Sequence, residues 1–175
     1  MRSLLALLLL WSGTWFATPE RALSLTEHEK ARLRVTYRSM ILMSPHYRSD
    51  SRIKPDAPVG EGVDCSRYKY LVYKWAGVGM MQRVTSQDMA EGRGGWTGED
   101  IDIDQVEELD MIWWTFKDER RRIHGHVGAF LRDPTHGTPK VTHASPSRGQ
   151  IVCDEFRGRL REDYSKVRRI IIRKK

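Results

Sequence analysis

Cys65 stands between Asp64 and Ser66, and His126 and His143 follow well downstream. Those residue types suit nucleophilic catalysis. A thiol attacks a carbonyl only as thiolate, so it needs an imidazole to take its proton and a third polar group to orient that imidazole. Cys65 as nucleophile, His126 as base and His143 as orienting group would make one such set. Cys153 ends the apolar run "GQIVC" and reads as a small buried hydrophobe. A Cys65–Cys153 bridge, open to any exported protein, would silence the thiol. His124 and His126 alternate on one strand and with His143 offer a zinc-like set, with Cys65 as a fourth ligand. The reading taken here needs neither metal nor cofactor. His28, His46 and His136 lie in polar or helical surface contexts and read as solvated.

Two kinds of element must position these groups. In "VDCSRYKYLVYKWAG", Asp64 and Ser66 favour a helix start, and Tyr68, Leu71, Val72 and Trp75 recur at helical spacing before Gly77. That puts Cys65 at a helix N-terminus, where free N–H groups and the helix dipole favour a thiolate. From residue 109 onward the period changes. "MIWWTF", "HVGAFL", "KVTHA", "GQIVC" and "VRRIIIR" are short runs rich in β-branched and aromatic residues, broken by turn residues. These predict antiparallel strands that carry His126 and His143. An earlier helix is predicted over residues 25–43, with Thr26 and Glu29 as a capping box. A short one in "TSQDMAEG" is capped by Thr85 or Ser86, and residues 44–62 and 92–104 read as loops. Helices followed by strands predict an α+β domain whose N-terminal helices pack on an antiparallel sheet.

The ordered set Asp64-Cys65-Ser66, His126-Val127-Gly128 and His143-Ala144-Ser145 resembles the NlpC-type, papain-like cell-wall cysteine peptidases. Similarity extends to "RVTSQDMAEG", like that family's Arg-x-Ser second helix, and to "ELDMIWW", like its Gly-Asp-Leu strand, so that it covers roughly residues 40–155. The resemblance implies a papain-like NlpC-type fold, with Cys65 as nucleophile, His126 as general base and then acid, and His143 as orienter. It also implies that Tyr47 helps stabilise the tetrahedral intermediate. The implied substrate is a peptidoglycan stem peptide, cut between γ-D-glutamyl and a diamino acid, with Asp64 available to hold a free amine. Three departures stand out: a long polar loop replaces the glycine pair after the tyrosine, Arg67 replaces a glycine, and Leu109 replaces another before Asp110. Asp64, Ser66, Arg67 and the loop tryptophan Trp96 are the candidate substrate contacts, Arg67 by narrowing the cleft or favouring an anion. Trp75, Trp113 and Trp114 read as core.

The 175 residues carry 30 basic and 23 acidic side chains, a formal charge of +7, which favours anionic partners. Met1 and Arg2 precede an apolar stretch, Ser3 to Ala17, of signal-peptide length. Residues 1–24 are therefore read as a leader and 25–175 as the peptidase domain, with cleavage after Ser24 and Ala17 as the alternative. No apolar run reaches the roughly 18 residues of a membrane span, so no stable span is expected after cleavage. The chain is expected to be exported, periplasmic or extracellular. The basic segment from Arg157 to Lys175 has only Phe156 and Tyr164 as neighbouring aromatics, which argues against nucleic-acid binding. An inhibitor partner would leave no mark in the sequence. Two other readings use the same residues: a catalytically silent wall-binding protein of this fold, and an exported antibacterial effector with the same chemistry.

Overall fold

Thr26 starts the first helix with the predicted capping box, its hydroxyl accepting from the Glu29 amide while Glu29 reaches back to the Thr26 amide. The structure is a computed structural model, and it describes residues 22–49, 53–117 and 123–173. Its elements in order are β1 (Ala22–Ser24), α1 (Glu27–Met43), α2 (Cys65–Ala76), α3 (Ser86–Ala90), β2 (Gly98–Asp100), β3 (Met111–Lys117), β4 (Ile123–Arg132), β5 (Pro139–Ser145), β6 (Gln150–Glu155), α4 (Arg159–Glu162) and β7 (Tyr164–Arg173). The fold is α+β, as predicted. Its antiparallel sheet runs β1-β7-β3-β4-β5-β6, with β2 also on β7.

Alternation along the strands divides the core in two. Met111, Trp113, Val127, Ala129, Leu131 and Ala144 face the helices and pack on Leu33, Tyr37 and Met40 of α1 and on Tyr68, Leu71 and Val72 of α2. Ile112, Trp114, Phe130, Val141 and Val167 face the other way, where Ile101, Ile103 and Val106 and the segment from Phe156 to Tyr164 cover them. Burying each such side chain contributes about 1.5–3 kcal/mol, so both layers hold the sheet rigid. The loop over residues 92–104 therefore does structural work that its composition did not announce.

One interruption in the sheet builds the site. β4 and β5 pair only from Ala129↔Thr142 to Arg132↔Pro139, whereas β5 stays paired with β6 out to Ser145↔Gln150. Beyond Ala129 the two strands diverge, and α2, which lies across both, brings its N-terminus to the opening.

Ala22–Ser24 pairs with Ile171–Arg173 of β7. Residues 1–21, which hold most of the expected leader, lie outside the described residues. Trp75 is 47% exposed rather than core, because the last turn of α2 turns it outward. Leu109 has a φ of 79°, the left-handed region that favours glycine.

Candidate active site

Asp64 caps α2, its carboxylate accepting from the Arg67 amide at 2.6 Å and from the Ser66 hydroxyl at 2.8 Å. That cap fixes Cys65 as the first helical residue, and Gly77 closes the helix in the left-handed conformation. The backbone amides of Val127 and Ser66 pull the Cys65 thiol towards its thiolate. The helix that Cys65 opens packs across β4 and β5, the strands that carry His126 and His143.

His126 and His143 bridge the divergence of the strands. Nε2 of His126 lies 2.9 Å from Nδ1 of His143, with the ring planes at 90°. Trp114, paired with His126 across β3 and β4, lies 5.7 Å from that ring and 6.2 Å from His143. The Trp114 ring is anchored in turn by its own N–H, which donates to the Leu160 carbonyl at 2.9 Å. Nε2 of His143 meets Asp154 Oδ2 at 3.3 Å, and Arg148 holds the other oxygen at 2.8 Å.

Burial decides the protonation states. It pushes the Cys65 thiol up to about 11, with the Asp64 carboxylate adding to the rise, against the opposing pull of the two amides and Lys69. The helix-start position alone predicted the opposite direction, and desolvation outweighs it. Burial also takes His126 down to about 3, helped by the charges of His143 and Lys69, and lowers His143. At neutral pH the thiol and both rings are uncharged.

Tyr47 lies at the same opening. Its amide donates to the Gly149 carbonyl at 2.6 Å, and it bridges Val63 two residues before Cys65. Its phenol is raised by burial first and then by the nearby Cys65. Asp64 and Ser66 line a groove of about 680 Å³ with Arg83, Thr85 and Asp88, and Arg83 contacts Asp64 at 3.4 Å.

Two predicted contacts are corrected. Trp96 is fully buried, its N–H donating to the Gln82 carbonyl at 2.8 Å and its ring edge-on to Tyr73, so it cannot grip a substrate. Arg67 is also fully buried, its guanidinium donating to the carbonyls of Gly62, Ala57 and Pro58. It ties down the loop over residues 57–62 rather than narrowing the cleft.

Three contributors escaped the sequence reading. Asp154 sits diagonally from His143 because Val141 pairs with Asp154 and His143 with Val152, a relation visible only once the register is known. Trp114 was assigned to the core but not to the rings it supports. Lys69, one turn after Cys65, is fully buried and donates to the Thr142 carbonyl at 2.8 Å beneath the rings of Tyr68 and Tyr37. Tyr68 meets the Thr142 hydroxyl at 2.8 Å, so two residues of α2 clamp β5 next to His143. The one hint in the sequence is that Lys69 follows Cys65 by four residues, which puts those two on one face of the helix.

Cys65 and Cys153 are both free thiols, and Cys153 packs on the helix-side core. Among the described residues, no group of three or more His, Cys, Asp or Glu side chains is arranged to hold a metal ion.

The helix-borne cysteine and the strand-borne histidine pair sit on an α+β architecture of helices packed on an antiparallel sheet. A crystal structure from Staphylococcus aureus, described as similar to a lipoprotein of the NLP/P60 family, superposes with a TM-score of 0.59 at 17% identity. The match covers 87% of this chain and 45% of that one, so this chain spans less than half of its length. At that identity the likeness is one of fold. No protein-family model and no curated protein sequence matches the chain. No helix among the described residues is long and apolar enough to cross a membrane.

Proposed function

We propose that this protein is an exported cysteine peptidase that hydrolyses amide bonds in peptidoglycan stem peptides, at the γ-D-glutamyl to diamino-acid bond. The observation that carries the reading is the 2.9 Å contact between His126 and His143 on strands that α2, with Cys65 at its start, packs across. A nucleophile beside a base that is itself oriented is what acyl transfer requires.

In this reading the Cys65 proton passes to Nδ1 of His126 as the sulfur attacks the amide carbonyl. The uncharged resting pair makes that transfer part of the attack rather than a step before it. The Cys65 amide and the Tyr47 hydroxyl receive the developing oxyanion. His126 then gives its proton to the departing amine, and a water, deprotonated by the same ring, releases the acyl group and restores the thiol. Asp64 and Ser66, in the groove with Arg83, contact the stem peptide.

Digestion of purified muropeptides, followed by mass spectrometry, tests the proposal. Cys65→Ala and His126→Ala are expected to lose nearly all turnover, and His143→Ala to keep a residue of it. Full hydrolysis by the Cys65 variant would remove the mechanism. A silent wall-binding relative is the second reading, favoured by the 8% exposure of Cys65 and 9% of His126. Tight muropeptide binding with no product would select it.

A further inference from the structure

We infer that Asp154 is a positioning residue that sets the direction of the whole imidazole relay, by fixing the tautomer of His143 and through it that of His126. The inference rests on the peptidase reading above for its kinetic consequence, but not for its structural one.

The argument is one of donors and acceptors. An ionised carboxylate only accepts hydrogen bonds. Facing Asp154 Oδ2 at 3.3 Å, Nε2 of His143 must therefore carry the proton. His143 is neutral, so its Nδ1 is a bare acceptor, and the 2.9 Å contact requires His126 to donate from Nε2. His126 is neutral too, which leaves its Nδ1 bare and able to take a proton. Reversing one member reverses them all: a proton on Nδ1 of His143 would force the proton of His126 onto its own Nδ1 and disable it as a base.

Arg148 aims Asp154, holding Oδ1 at 2.8 Å. Arg148 is placed by its amide, which donates to the Ser145 hydroxyl at 3.4 Å. The other charged groups around the pair are Lys140, Glu155, Arg157 and Arg159, which line the same groove along β5 and β6, and Lys69 on the helix side. Lys140 is occupied by Asp133 at 2.6 Å and Arg157 by Glu155 at 3.0 Å, and Arg148 is the cation in contact with Asp154, at 2.8 Å.

The groove, about 750 Å³ and open to solvent, gives the test its asymmetry. In Asp154→Ala a water can take the carboxylate's place and serve either tautomer. In Asp154→Asn the amide N–H₂ can donate to Nε2 of His143 and lock the wrong tautomer. Asn is therefore expected to be worse than Ala, an order that loss of packing would not give. Where the aspartate touches the base directly, the same substitution costs about 10⁴-fold in kcat. Acting one ring further away, Asp154→Asn is expected to lower kcat on the order of 10- to 100-fold with KM little changed, Ala by less than about tenfold, and Glu least.

Long-range ¹H–¹⁵N correlation spectra of the folded full chain report the tautomers without any turnover. The wild type is expected to show both rings protonated at Nε2, and the Asn variant to show them at Nδ1. A wild-type His143 protonated at Nδ1 overturns the inference, and so does an Asn variant with unchanged tautomers. If the Asn variant does not fold, the wild-type spectrum decides. A wild type that shows the expected tautomers but cleaves no muropeptide leaves the role of Asp154 standing and removes the peptidase reading instead.

Discussion

Replacing Arg67 with methionine separates a structural arginine from a substrate-binding one. Methionine keeps most of the length and apolar stem but none of the five donors. The guanidinium now serves three carbonyls, of which that of Gly62 belongs to a buried residue, while Ala57 is half-buried and Pro58 exposed. Leaving a buried acceptor unmet costs about 1–3 kcal/mol, and losing the two wetter bonds costs about 0.5–1.5 kcal/mol each because water replaces the donor. Relief of the buried charge returns part of this, since burial already lowers the Arg67 pKa. The net loss is expected to be roughly 3 kcal/mol. For a chain of this size that is a fall in Tm of about 6–12 °C. Urea unfolding followed by tryptophan fluorescence reads the free energy, and muropeptide kinetics below the transition read KM. Unchanged stability with a raised KM would refute the structural assignment and return Arg67 to the cleft.

The remaining predictions concern charge and packing at the site. Iodoacetamide should alkylate Cys65 slowly at pH 8 and faster towards pH 11, and Asp64→Asn, which keeps the cap but removes the second cause of the raised thiol pKa, should shift that profile down; mass mapping of the adduct checks both. His126 has a folded pKa of about 3 against an ordinary 6.5, so the unfolded chain binds the proton first. Its contribution to stability is therefore full above about pH 6.5 and is lost as the pH falls towards 3, by up to about 5 kcal/mol, and His126→Gln should flatten that slope in urea titrations. Gly128→Ala would put a Cβ 2.6 Å from Val141 and 3.1 Å from the Trp114 ring, costing about 1–3 kcal/mol in the urea midpoint. Because Trp114 backs both histidines, turnover should fall in the same variant.

Local chemistry was legible where it was enough to decide the outcome. A capping box at Thr26, a capping aspartate at Asp64 and a left-handed glycine at Gly77 set helix ends within a few residues, and all three occupy those places. The five longer strands were readable from their β-branched and aromatic runs. The three-residue strands β1 and β2 were not, because so short a segment carries no period and becomes a strand only when β7 offers an edge. Burial was misjudged in both directions. Trp96 stands in a glycine-rich loop and is core, whereas Trp75 stands on an apolar helical stripe and is half exposed.

The residue types alone determined which groups could react and in what chain order: Cys65 at a helix start, and His126 and His143 on later strands. Only the tertiary structure decided that β4 and β5 part beyond Ala129 so that α2 can bring the thiol to that edge, and that Asp154 stands behind His143. It also decided that the thiol rests neutral, since helix-end electrostatics are local while desolvation depends on everything packed around the sulfur.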